Sequence, residues 1–195
     1  MLDEEYCGHK YIIISVMGPH ASESEKEIFE RKIKDVNKTG TTFWLMRSWQ
    51  AKPPMVQDIC LKAKEEGEKV VTIFVEPSSI GGATPTKTVE KSKFYSKNNK
   101  DWKAMPSGLT PVTGKMGSNA YALVFDSLKM SDGTLDLWGY ANFFEQAKPV
   151  KIMRGASTLC AMKKNMKNNK DRIQSHLRRI VAIGELCDPY GVWLR

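Results

Sequence analysis

The chain has 195 residues, 41% hydrophobic and 27% charged, which suits a packed domain and excludes disorder of the whole chain. No apolar run approaches the roughly 20 residues that cross a bilayer, and the opening Met1-Leu2-Asp3-Glu4-Glu5 is acidic where a signal peptide is basic, so a cytoplasmic protein without a membrane partner is expected. The net charge of +8 is confined to two segments, since residues 87–115 carry seven Lys/Arg against two Asp/Glu and residues 148–179 carry ten against one; an evenly basic surface is excluded and a polyanionic partner is indicated.

Lys10 to Met17 is β-branched and apolar, the pattern of a strand buried on both faces, and Gly18-Pro19 ends it. Ser22 and Glu25 have the spacing of a capping box. The apolar set Ile28, Phe29, Ile33 and Val36 then predicts a helix to about Asn37, closed by Gly40. Thr42 to Met46 is a second strand. Pro53-Pro54 opens a second helix with a buried stripe of Met55, Val56, Ile59, Cys60 and Ala63, ended by Gly67. Val70 to Glu76 is a third apolar strand. Residues 10–76 therefore predict a Rossmann-like βαβαβ start with a largely parallel sheet.

Pro77 to Ser118 is rich in Gly and Pro and reads as a long basic loop with a helical turn near Glu90 to Tyr95. Asn119 to Leu128 returns to strand character. Ser131-Asp132-Gly133 signals a turn, and Thr134 to Ala141 would be the second strand of a β-hairpin. Gly155 to Met166 and Lys170 to Ile183 have helical spacing, the latter with Ile173, Leu177, Ile180 and Val181 on one face and Gly184 as its stop. Tyr190 to Leu194 is a final short strand. The whole is expected to be one α/β domain over 1–195, divisible into an α/β layer (1–80) and a basic α+β part (81–195) with a helical C-terminal end.

The basic segments carry the leading functional expectation, a nucleic-acid-binding protein. Lys87, Lys91, Lys93, Lys97 and Lys103 in the loop, with Lys151, Arg154, Lys163, Lys164, Lys167, Lys170, Arg172, Arg178 and Arg179 beyond it, are the residue types that grip phosphates of DNA or RNA. Phe94, Tyr95 and Trp102 interleave with the loop lysines. Trp44, Trp49 and Trp102 are the candidates for stacking on a base.

A second expectation is an enzyme or sensor for a nucleotide or other small phosphorylated ligand, bound at the carboxyl edge of the first strands. His20, on the loop before a helix N-terminus, would serve as base or phosphate contact. Glu76 and Asp126 end apolar runs, where active-site acids of α/β proteins sit. Gly81 to Thr88 approaches a P-loop, but Thr86 stands where the loop needs Gly. A third expectation is an interaction module for an acidic protein partner. Cys7 and His9 lack a second pair at zinc spacing, so no metal or other cofactor is expected. Cys60, Cys160 and Cys187 are isolated in sequence, consistent with reduced thiols.

Overall fold

The computed structural model describes residues 9–17, 23–46, 51–76, 90–114, 120–145, 150, 158–163 and 177–195. Its centre is built from apolar runs. β1 (Tyr11–Val16) and β3 (Val70–Val75) pair in parallel, from Tyr11 opposite Val70 to Val16 opposite Val75. Every residue of both strands is buried, because alternate side chains enter two different cores: Tyr11, Ile13 and Phe74 on one face, Ile12, Ile14, Val71, Ile73 and Val75 on the other.

The second strand of the predicted βαβαβ unit lies elsewhere. β2 (Thr42–Met46) pairs antiparallel with β8 (Tyr121–Met130). β8 pairs antiparallel with the long β12 (Leu177–Leu194), and β12 pairs antiparallel with β3. On the opposite flank, β11 (Thr158–Lys163) runs antiparallel to β1, and β10 (Tyr140–Asn142) antiparallel to β11. The order is β10-β11-β1-β3-β12-β8-β2 within a ten-stranded sheet. Three antiparallel steps separate β3 from β2, so β2 runs against β1 and β3.

This corrects the Rossmann-like expectation. Each helix leaves from and returns to the same end of the sheet, and both lie on one face. α1 (Glu25–Thr39) contributes Ile28 and Phe29, and α2 (Pro53–Glu65) contributes Val56, Ile59, Cys60 and Ala63, to a single core with Phe74, Leu123 and Phe125. The other face carries no helix of this length among the described residues. Leu135, Leu137, Tyr140 and Val150 cover it over β1, β3 and β11. Tyr95, Met105, Leu109 and Val112 cover it over β2, β8 and the end of β12.

The expected basic helical C-terminal part is also corrected. The described residues of Gly155–Met166 form β11, and those of Lys170–Ile183 form the start of β12. Burial on both faces explains β12: Val181 and Ala182 enter the helix-side core while Ile180 and Ile183 enter the opposite one. Gly184, expected to stop a helix, lies mid-strand, where a Cβ would stand 2.6 Å from Phe125 Cδ1 and 2.7 Å from Leu128 Cδ2. The predicted hairpin partner of β8 divides. β9 (Thr134–Asp136) pairs with the start of β12, a 3-10 turn (Leu137–Gly139) follows, and β10 joins β11.

Helix ends follow local chemistry. The N-cap of α1 is Ser24, two residues beyond the expected cap; its Oγ accepts from Glu27 N–H at 3.3 Å and the Glu27 carboxylate accepts from Ser24 N–H at 2.7 Å. Gly40, at φ 79°, closes the helix by donating to Val36 O at 2.8 Å. Beyond α2, Glu66 accepts from Lys10 Nζ (2.5 Å) and Tyr11 OH (2.8 Å) through Oε2, and Lys62 Nζ lies 3.2 Å from Oε1. These bonds tie α2 to the start of β1 and hold the Glu66 carboxyl at about 2. No helix among the described residues is long and apolar enough to cross a membrane.

Candidate nucleic-acid interface

The basic loop contains a short β-hairpin where one helical turn was expected. β5 (Phe94–Ser96) and β6 (Lys103–Ala104) pair antiparallel, and β4 (Glu90–Lys91) pairs with β7 (Thr113–Gly114) below them. The turn is set by Asn98. Its Oδ1 accepts from the N–H groups of Lys100 and Asp101, both at 2.9 Å, and its Nδ2 donates to Asp101 Oδ2 at 2.6 Å. Asn99 takes the left-handed conformation at φ 61°, which Asn tolerates.

The hairpin docks on the end of β12. Trp193 pairs with Ser96 and Leu194 with Tyr95. Phe94 and Arg195 exchange backbone bonds, Phe94 N–H to Arg195 O at 2.9 Å and Arg195 N–H to Phe94 O at 3.1 Å. Gln57 of α2 adds a side-chain tie to Lys97 O (3.0 Å) and Gly191 O (2.8 Å). Strand alternation then sorts the aromatics. Tyr95 turns inward, edge-on to Phe43 at 5.2 Å, and Phe94 turns outward, 39% exposed.

The hairpin and the residues leading into it are rich in cations. Lys91, Lys93, Lys97, Lys100 and Lys103 are all exposed. Arg195 reaches over two rings, with its guanidinium carbon 4.2 Å from the Trp102 ring centre and 5.6 Å from that of Phe94. Lys97 is paired with Asp188 at 3.1 Å.

The segment after the hairpin is fastened to α1 by Asp35. Asp35 Oδ1 accepts from Thr110 N–H (2.9 Å) and Thr110 Oγ1 (2.7 Å), and Oδ2 accepts from Thr42 Oγ1 (3.2 Å). Lys32, one turn earlier, is 6% exposed. Its Nζ lies 3.7 Å from Asp35 Oδ2 and has no hydrogen-bond partner. Burial lowers its pKa to about 8, against the opposing attraction of Asp35.

Compared with family models, curated proteins and solved structures, the chain matches none of them.

The remaining predicted residues disperse. Lys163 ends β11 at the amino end of β1, where its N–H donates to Lys10 O. Arg178 and Arg179 begin β12 near the carboxyl end of β3, and Arg179 Nη1 bonds Glu76 Oε1 at 3.1 Å. At about 3.3 Å per residue, roughly 40 Å of strand path along β8 and the residues beyond it separates Arg179 from the hairpin. Trp44 is half-buried and packs against the core, stacked on Phe29 at 5.0 Å and tilted against Phe74 at 4.6 Å. Trp49, Lys87, Lys151, Arg154, Lys164, Lys167, Lys170 and Arg172 lie outside the described residues.

The acids proposed for a strand-end site also part company. Glu76 follows the carboxyl end of β3. Asp126 lies mid-strand in β8, beside Ser127, whose partner Glu185 pairs with Val71 near the amino end of β3. His20 and the P-loop-like Gly81–Thr88 fall outside the described residues. The start of α1, where a phosphate would have to sit, is acidic and already capped: Ser24 and Glu27 bond each other, and burial together with Glu76 raises the Glu25 pKa. A first turn carrying Glu25 and Glu27 repels an anion that the helix N-terminus would otherwise attract.

Among the described residues no three His, Cys, Asp or Glu side chains converge as a metal site. Burial pushes the Cys60 thiol up to about 12 and Cys187 up to about 11, which leaves both protonated at neutral pH. Arg195 was not visible as a site residue in the sequence. Its neighbours Phe94 and Trp102 are over ninety positions away, and only the strand pairing of β12 with β5 joins them.

Proposed function

We propose that the protein binds nucleic acid, DNA or RNA, on the outer surface of the β5–β6 hairpin. The observation that carries this reading is the Arg195 guanidinium lying over the rings of exposed Phe94 and half-buried Trp102, on a hairpin whose turn, strands and leading residues carry the exposed Lys91, Lys93, Lys100 and Lys103. Lysines on a ribbon neutralise backbone phosphates and release their counterions. Aromatic rings beside them offer faces to bases.

Polarisation binding to single- and double-stranded DNA and RNA across a salt series tests the reading. Affinity should fall steeply between about 50 and 200 mM salt. Lys91→Glu/Lys93→Glu/Lys103→Glu should abolish most of the binding. Absence of binding at low salt, or a triple variant that binds like the parent, refutes it.

A further inference from the structure

Resting on that reading, we infer that the ligand is a single strand, and that one of its bases takes the place Arg195 now fills over the Trp102 ring. The guanidinium carbon is 4.2 Å from the centre of the Trp102 ring and 5.6 Å from that of Phe94. It thus occupies the ring surface that a base would need. In a duplex both faces of each base are stacked on neighbours, so only an unpaired strand has a base face to give to Trp102.

Arg195 is built for such an exchange. Its backbone is fixed: its N–H donates to Phe94 O, and its carbonyl accepts from the N–H groups of Lys93 and Phe94 and, at 3.2 Å, from Ser92 Oγ. Its side chain is exposed. The guanidinium can leave the ring by side-chain rotation while the hairpin stays docked. Once displaced it stays tethered by its backbone beside Lys93 and Phe94, a cation available to the phosphates of the same strand. The exchange replaces an exposed cation–π contact by base stacking, the stronger interaction per ring.

The full chain is titrated with two labelled oligonucleotides of equal length, one of thymidines and one of abasic residues, which share the backbone charge but differ in stacking. The ratio of their dissociation constants isolates the stacking contribution. The parent protein should prefer the thymidine strand by about ten- to a hundredfold, and a duplex should bind less tightly than the single strand. Trp102→Ala and, separately, Phe94→Ala should bring the ratio near one. Arg195→Ala should weaken both ligands through loss of a charge, yet raise the ratio by about two- to fivefold, because no guanidinium has to be displaced.

A ratio that falls in Arg195→Ala would mean that the base stacks on the arginine, and an unchanged ratio that Arg195 is not displaced; either overturns the exchange. Equal affinity of the parent for both strands overturns the stacking slot and leaves phosphate binding standing. No binding of either strand removes the proposed function as well.

Discussion

Replacing Lys32 by methionine should stabilise the protein at neutral pH, with a pH dependence that identifies the cause. Lys32 is 6% exposed, its Nζ has no hydrogen-bond partner, and its carboxylate neighbour is 3.7 Å away and already engaged by three donors. Burial brings the folded-state pKa to about 8 from an ordinary 10.5. Between those two values the unfolded chain holds a proton that the folded protein releases. Stability therefore rises with pH through that window and is at its reduced level below about 8. At 1.36 kcal/mol per pKa unit, the full cost of the buried charge is about 3 kcal/mol. Methionine fills a similar volume without a charge, while Asp35 retains Thr42 and Thr110 as donors. The pKa of about 8 already includes the attraction of Asp35, so a net stabilisation of about 1–3 kcal/mol, up to that full cost, is expected at pH 7. Urea unfolding of both proteins at intervals from pH 7 to 10.5 measures it. The variant's advantage should shrink steadily above pH 8 and vanish near 10.5. Two stability curves that stay parallel across that range would show that Lys32 keeps an ordinary pKa in the folded protein and would refute the reasoning.

Gly184→Ala places a methyl group against Phe125 and Leu128 in the middle of the sheet, so a loss of about 1–3 kcal/mol is expected from the urea midpoint. Glu66, held at about 2 by Lys10 and Tyr11, supplies stability that is complete above its unfolded value of about 4.5 and is lost as pH falls from there towards 2. Glu66→Gln should accordingly flatten the acid limb of the stability curve and leave its shape near pH 7 unchanged. Asp35→Asn should loosen the hold of α1 on Thr110, seen as faster amide exchange at Thr110 with little change in β1 and β3. For the proposed interface, Lys93→Ala alone should reduce the slope of log affinity against log salt by about one, the signature of one phosphate contact, and should do so equally for DNA and RNA.

The elements that the sequence placed well are those whose burial is complete or whose ends are chemically marked. Tyr11–Val16 and Val70–Val75 are apolar throughout because both faces are covered, and such a run is recognisable without knowing its neighbours. Gly40 and Pro53-Pro54 mark helix ends through backbone chemistry that acts within a few residues. Pairing is another matter. Nothing local in Thr42–Met46 says that its partner is Tyr121–Phe125 rather than β1, and the alternation of strands and helices favoured the commoner parallel arrangement. The stretch from Ile173 to Val181 has apolar residues at helical spacing, yet Ile180-Val181-Ala182-Ile183 is also a continuous apolar run of the β1 kind. Insertion between β3 and β8 decided for the strand.

The same long strand explains why charge in the sequence was a poor map of charge in space. Arg178 and Arg179 belong to the basic C-terminal segment in sequence, but β12 carries them to the end of the sheet where Arg179 meets Glu76. At its other end β12 brings Arg195, which belongs to neither basic segment, between Phe94 and Trp102. The patch with both cations and ring faces is thus assembled by strand pairing from residues about a hundred positions apart, while the densest run of described arginines is partly neutralised by Glu76, just beyond β3. If the proposal holds, charge reversal at Arg179 should change nucleic-acid affinity far less than charge reversal at Lys93, although the segment around Arg179 is the more basic of the two in sequence. Equal losses at the two positions would show that the ligand spans the whole length of β12 and would move the interface from the hairpin to the sheet.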